Sequence, residues 1–202
     1  MTNPHPSVSS RPNKSTNVRS QKRPGLKDAL LVQAVAVGGR VAPFETGGLL
    51  VDIFTHAPQP YPRSPEVDAR LMFADAWSVT VSGRSLRGFT LRPEGRHPNE
   101  EGEGPAILLV HGWAGGGHQL LPIARPLVAR GFSVSFFDLA AHGESEGQHA
   151  SLRDIADAIA GVAASLGHLH AVIAHSVGGA GTILALLDGR LTLEEIRKFS
   201  HD

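Results

Sequence analysis

Ser176 is the residue of this sequence whose neighbours best fit a chemical role. An apolar run, residues 171–174, precedes it, and Gly178 and Gly179 follow it. A small-x-Ser-x-small pattern is typical of a serine on a sharp strand-to-helix turn, where a strained backbone presents the hydroxyl for attack. Bulk is excluded at Ala174 and Gly178 because the chain folds back on itself there. We predict a nucleophilic serine; the alternative is an ordinary turn with a serine N-cap.

The elements that must position Ser176 alternate along the chain. We predict strands over residues 77–81, 86–91, 106–110, 133–137 and 171–174, and helices over 26–38, 120–130, 151–166, 177–187 and 191–202. The unbroken apolar run at 106–110 indicates a strand buried on both faces of a sheet. Thr192 and Glu195 predict a capping box for the last helix. Alternating strands and helices indicate an α/β fold with a mostly parallel sheet and flanking helices.

Composition narrows the function classes. The chain has 202 residues, 41% of them hydrophobic, with 19 basic residues, 19 acidic residues and no cysteine. That balance fits a globular domain and gives no reason to expect a nucleic-acid partner. The cysteine count excludes disulfides and thiolate chemistry. No apolar run reaches the roughly 18 residues of a membrane span, so we expect a cytoplasmic protein.

Three motifs follow the third, fourth and fifth predicted strands. They are His111-Gly112-Trp113, the segment from Asp138 through His142-Gly143-Glu144-Ser145, and Ala174 to Gly178. With these motifs in this order, the sequence resembles the esterase-like and lipase-like members of the α/β-hydrolase family over roughly residues 70–190. The resemblance implies strand order 1-2-4-3-5 and a ligand site at the carboxyl ends of the strands.

Composition, residue spacing and the resemblance together divide the chain into three expected parts. We expect a disordered basic tail over residues 1–24, because that segment has no acid and almost no large apolar residue. A nucleic-acid or membrane-surface arm is the alternative for this tail. An N-terminal helical extension with a proline-rich connector is expected over 25–69, and a partial α/β-hydrolase domain over 70–202.

The resemblance assigns the roles of the family's site residues to the matching positions of this sequence. Ser176 matches the nucleophile, and the backbone N–H groups of Trp113 and Val177 match the two oxyanion-hole donors. In comparable sites each such donor stabilises the transition state by about 3–4 kcal/mol. A motif-shaping role falls to His111, Gly112, Ala174 and Gly178. The resemblance implies no metal and no cofactor, and a small-molecule acyl substrate.

The family takes its acid and its catalytic histidine from strands downstream of the nucleophile. Here 26 residues follow Ser176, and they contain no sixth apolar strand. We therefore expect strands six to eight to be missing, together with the acid and the histidine. Loss of the histidine alone costs on the order of a million-fold in turnover. The chain by itself is expected to be inactive or nearly so.

Other histidines offer weak substitutes for the missing base. His175 is adjacent to Ser176, which directs the two side chains apart. Three further histidines lie on predicted loops without an obvious orienting carboxylate: His118, His142 and His149. His201 lies too near the end of the sequence to be a strong candidate.

Three further patterns are interpreted as structural features and not as sites. Asp138 ends a strand and is interpreted as a turn-forming residue, with a triad acid as the alternative. His168-Leu169-His170 has a metal-like spacing, but one such pair entering a strand does not predict a site. The glycines at 115–117 do not form a phosphate loop, because no Lys-Ser or Lys-Thr follows them.

Two classes of function stay open on this sequence. The first is a serine hydrolase acting on an ester or a related acyl bond. The second is a non-catalytic α/β-hydrolase-like protein that binds a ligand or a partner. Ser176 argues against dehalogenases and epoxide hydrolases, which carry Asp at this position of the motif. We also expect self-association through the exposed edge of the fifth strand, because an unpaired apolar edge invites pairing.

Overall fold

The computed structural model describes residues 25–58, 63–94, 105–192 and Ile196. Its contacts divide the chain into two compact units, Met1–Gly47 and Gly48–Asp202. Helix α1, Leu26–Val41, belongs to the first unit and confirms the predicted helix, which ends three residues later than expected. The unit boundary falls inside helix α2, Pro43–Thr55, which the sequence analysis did not predict. The predicted tail and most of the predicted final helix lie outside the described residues.

The second unit is built on a five-stranded mixed sheet. Its strands are β1 Asp75–Val81, β2 Arg84–Leu91, β3 Ala106–Val110, β4 Ser133–Phe137 and β5 Leu169–Ala174. The strand order β1-β2-β4-β3-β5 confirms the predicted order. The β1–β2 hairpin and the β2–β4 pair are antiparallel, whereas β3 runs parallel to both β4 and β5. The three strands that end at the candidate site are therefore the parallel ones.

The helices of this unit are α3 Pro65–Leu71, α4 Leu121–Val128, α5 Leu152–Leu166 and α6 Val177–Leu187, with a 3-10 turn at Gly117–Leu120 before α4. Strand β3 divides the core into two layers, because alternate side chains of a strand point to opposite faces. Leu108 and Val110 pack in the cluster that contains α5, and Ile107 and Leu109 in the cluster that contains α4. All four are buried, as the unbroken apolar run predicted.

Helix α5 begins at a capping box. Ser151 accepts a hydrogen bond from the backbone N–H of Asp154, whose carboxylate accepts the backbone N–H of Ser151 at 2.8 Å. This confirms the predicted start of the helix at residue 151. Ile155 and Ile159 of this helix are fully buried, in the same core cluster as Leu108 and Val110 of β3.

Strand β5 pairs with β3 and with no other strand among the described residues. Its exposed residues include Ile173. Within the described residues, no helix combines the length and the apolar character needed to cross a membrane.

Candidate functional site

Ser176 occupies the turn between β5 and α6. Its backbone has φ 54° and ψ −124°, a conformation that non-glycine residues rarely adopt. Such a conformation costs on the order of 1–3 kcal/mol and occurs chiefly at functional sites. The side chain is exposed, and its hydroxyl does not cap the helix. Because no described residue is hydrogen-bonded to it, Oγ remains available to a ligand.

Gly178 allows the chain to return sharply after Ser176. A Cβ at this position would overlap the carbonyl oxygen of His111 and lie 2.8 Å from Cγ1 of Val110. At Gly179 the nearest atom to a Cβ would be 3.9 Å away, which is an ordinary contact. The steric requirement for glycine therefore applies to Gly178 and not to Gly179.

The loop after β3 touches the turn at Ser176. A Cβ on Gly112 would lie 3.1 Å from Cβ of Ser176 and 2.8 Å from Nδ1 of His175. The backbone N–H of His175 donates to the carbonyl of Val110 at 3.0 Å, which joins the two segments at their bases. Glycine at position 112 lets the main chain approach the serine this closely.

His111 sets the orientation of the peptide between Gly112 and Trp113. The backbone N–H of Leu139 donates to Nε2 of His111 at 2.9 Å, so Nε2 carries a lone pair and Nδ1 carries the proton. That proton is donated to the carbonyl oxygen of Gly112 at 2.7 Å. In a trans peptide the carbonyl and the N–H point in opposite directions. Holding the Gly112 carbonyl towards His111 therefore directs the Trp113 N–H away from it.

Two backbone N–H groups near Ser176 have no hydrogen-bond partner in the part of the chain that the structure describes. Among the described residues, no acceptor is hydrogen-bonded to the backbone N–H of Trp113 or of Val177. Val177 is the first residue of α6, whose initial N–H groups have no acceptor within the helix. The positive end of the helix dipole adds to the attraction for a negative oxygen there.

Neutral histidines pack behind Trp113. Burial lowers the pKa of His111 to about 4, and burial also lowers the pKa of His142. The ring of His142 meets the Trp113 ring edge-on, with centroids 4.8 Å apart, and its Nδ1 donates to the carbonyl of Ala140 at 2.9 Å. Its Nε2 is buried without a hydrogen-bond partner. The site is thus backed by an uncharged aromatic layer.

No histidine among the described residues is hydrogen-bonded to Ser176. His149 has a carboxylate beside it, which the sequence analysis did not expect: Nε2 lies 3.6 Å from Asp52 Oδ1, and Nδ1 lies 3.3 Å from Thr55 Oγ1. Both of its ring nitrogens therefore face other partners. His175 packs on Gly112, and His201 lies outside the described residues.

Asp138 holds the turn after β4 together. Its carboxylate accepts the backbone N–H of Gly117 at 2.7 Å and that of Glu144 at 2.9 Å. Gly143 has φ +54°, and a Cβ there would overlap the same carboxylate. These bonds agree with the interpretation of Asp138 as a turn-forming residue.

A polar cleft of about 260 Å³ lies beside this turn. Its charged groups pair with one another, since Arg63 forms ion pairs with Asp68 and with Glu144. His118 also lines the cleft, and burial lowers its pKa. Among the described residues, no group of three histidine, aspartate or glutamate side chains is arranged to hold a metal ion.

An apolar cleft of about 340 Å³ lies next to the two free N–H groups. Its lining residues are Phe54, Thr55, Trp113, Ala150, Ser151, Leu152, Ile155 and Val177. Sequence reasoning selected Trp113 and Val177 but missed Phe54 and Leu152. Their only local signal was an apolar segment at 48–54 and the start of α5, and neither indicates which residues it approaches in the fold.

Part of the chain matches a protein-family model. Residues 104–195 match the family model described as serine aminopeptidase, S33. The search of curated proteins found no significant match.

Among solved structures, epoxide hydrolase VrEH1 from Vigna radiata is 20% identical with a TM-score of 0.48, over 58% of this chain and 36% of that chain. Epoxide hydrolase A from Mycobacterium thermoresistibile is 20% identical with a TM-score of 0.46, over 55% and 34%. A membrane phospholipase A described as a bacterial virulence factor is 25% identical with a TM-score of 0.48, over 79% and 46%. The matched region thus spans less than half the length of each of these proteins. In its family-model match over residues 104–195, its strand order and its motifs, the chain is similar to the α/β-hydrolase superfamily.

Proposed function

We propose that this chain carries the nucleophile and the oxyanion hole of a serine hydrolase that acts on an ester or a related acyl bond. Ser176 Oγ attacks the acyl carbon, and the backbone N–H groups of Trp113 and Val177 donate to the oxygen that becomes negative. The hydroxyl proton passes to solvent water, and the bond from the acyl carbon to the leaving alcohol oxygen breaks, which leaves the acyl group on Ser176. The observation that carries the proposal is the strained, uncapped and exposed Ser176 beside these two unpaired donors.

We further propose that the described residues lack the proton acceptor that fast turnover needs. No described histidine is hydrogen-bonded to Ser176, and both ring nitrogens of His149 face other partners. An oxyanion hole and substrate binding alone leave roughly a thousand-fold or more acceleration over water. Ser176 should therefore become acylated slowly by an activated ester, with little turnover.

The experiment is acylation of the full chain by p-nitrophenyl butyrate. Peptide mass spectrometry locates the butyryl group, and Ser176→Ala is the matched control. We expect butyrylation of Ser176 that is absent in the variant. A kcat within the ordinary enzyme range of roughly 1–1,000 per second, lost in Ser176→Ala, would contradict the slow-turnover proposal and place a base within this chain.

A non-catalytic binding protein is the second candidate. The absence of a described base beside Ser176 favours it. It predicts that the peptide containing Ser176 gains no acyl group, even at high ester concentration and after long incubation. The same experiment therefore separates the two candidates.

A further inference from the structure

We propose that the apolar cleft beside Trp113 and Val177 is a pocket for an uncharged aliphatic acyl group. The inference rests on the proposed function, because it names the acyl class that the Ser176 site accepts. It is carried by the contents of the cleft and by its position next to the two free donors.

The cleft lies beside the residues that carry the two proposed oxyanion donors. Trp113 and Val177 each contribute a backbone N–H on which the acyl oxygen is to sit, and each also lines the cleft. An acyl group whose oxygen meets both donors therefore has its chain next to the cleft. The volume of about 340 Å³ lies near the lower end of the roughly 300–1,000 Å³ typical of ligand pockets. It therefore suits one aliphatic chain.

The chemistry of the walls selects an apolar chain. Among the described residues that line the cleft none is charged, and six of these eight are apolar. The two hydroxyls have partners already: Thr55 donates to the carbonyl of Val51 at 2.8 Å, and Ser151 bonds Asp154 at 2.6 Å. An acyl group with an ammonium or carboxylate on its chain would lose its hydration without gaining a partner.

The cleft has a fixed floor and an open rim. Ile155 and Ala150 are buried in the core, so their side chains have no room to move away from a ligand. Leu152 is 42% exposed and Phe54 is 77% exposed, so both retain apolar surface that a bound chain would cover. Phe54 comes from α2, so this rim is formed in part by a helix that precedes the sheet in the chain.

The test measures binding of sodium alkanoates to the full chain by tryptophan fluorescence. An alkanoate places its carboxylate on the two donors and its chain in the cleft, and Trp113 reports occupancy because it lines the cleft. From butyrate to hexanoate to octanoate, affinity should rise about fourfold per buried methylene, the equivalent of about 0.8 kcal/mol. The probe 6-aminohexanoate should bind at least tenfold more weakly than hexanoate.

Two variants locate the site. Leu152→Glu places a charge at the rim and should weaken octanoate binding at least tenfold, and an acid in the first turn of α5 is compatible with the helix. Phe54→Glu is a second variant at an exposed position. Leu187→Glu is the matched control, since Leu187 is 79% exposed on α6 and does not line the cleft. It should leave binding unchanged.

The outcomes separate this inference from the proposed function. Affinity that is flat with chain length, or equal in Leu152→Glu, Phe54→Glu and Leu187→Glu, overturns the pocket. Octanoate binding that survives in Ser176→Ala supports it. Octanoate binding without any acylation of Ser176 retains the pocket and rejects the serine hydrolase. Acylation of Ser176 together with an alkanoate affinity that does not change with chain length retains the serine hydrolase and rejects the pocket.

Discussion

Nδ1 of His111 donates a hydrogen bond of 2.7 Å to the carbonyl oxygen of Gly112. The bond fixes the peptide whose other end is the N–H of Trp113, and it originates from a ring that is almost fully buried. The state of a core histidine thus determines where a surface donor points. Because the same ring titrates with a lowered pKa, His111 contributes both to the pH dependence of folding and to the geometry of the site.

The free energy of unfolding should fall as the pH falls from about 6.5 to 4. Burial lowers the pKa of His111 from 6.5 to about 4 in the folded chain. Between these two pH values the unfolded chain binds a proton at His111 that the folded chain does not bind. The stabilisation is complete above pH 6.5, and about 3 kcal/mol is lost by pH 4. Urea denaturation at several pH values measures the change.

His111→Gln is the matched variant for this effect. Its amide can accept from Leu139 and donate to Gly112, but it does not titrate in this range. The variant should be less stable than the parent at pH 7 and should lose less stability on acidification. His142 and His118, whose pKa values are also lowered, keep some pH dependence in both proteins. Parallel stability curves would rule out His111 as the source.

Gly178→Ala and Gly179→Ala should have opposite effects on stability. The first substitution forces a Cβ against the carbonyl of His111, and overpacking of this kind costs about 1–3 kcal/mol. The second adds a Cβ in open space within α6, where alanine is favoured over glycine by up to about 1 kcal/mol. Thermal unfolding of the two variants gives the comparison. Equal destabilisation by both would show that the turn does not depend on the contact at 178.

Ser176→Gly should be more stable than Ser176→Ala. Both variants remove the hydroxyl and should abolish acylation, but only glycine relieves the strain of φ 54°. The relief, less the entropy that glycine loses on folding, leaves a difference of about 1 kcal/mol. Denaturation midpoints measure it. If the two variants unfold at the same denaturant concentration, residue 176 stores no strain.

The strands and the turn at Ser176 could be predicted because their signals are local, whereas the strand order followed from the resemblance to the α/β-hydrolase family. An unbroken apolar run marks β3, and the small residues around Ser176 mark the turn. The roles of α2 and of Asp52 could not be predicted. The contact between Thr55 and His149 joins residues 94 positions apart, and no short pattern encodes it. For the same reason the sequence analysis missed Phe54, whose place at the cleft follows from tertiary packing.

Asp138→Asn separates a structural role for this carboxylate from a catalytic one. Both carboxylate oxygens accept backbone N–H groups, and the amide nitrogen of asparagine cannot. We expect the free energy of unfolding to fall by about 2–3 kcal/mol, because hydrogen bonds to charged groups contribute about 1.5–3 kcal/mol each.

Asp68→Asn is the control for Asp138→Asn. It breaks a partly exposed ion pair with Arg63, and such a loss is worth less than about 1 kcal/mol. If Asp138 only braces the turn, acylation of Ser176 by p-nitrophenyl butyrate should persist in Asp138→Asn at temperatures where the variant stays folded. A variant as stable as the parent that no longer acylates would instead make Asp138 the acid of the site, because only a role in the reaction could then explain the loss.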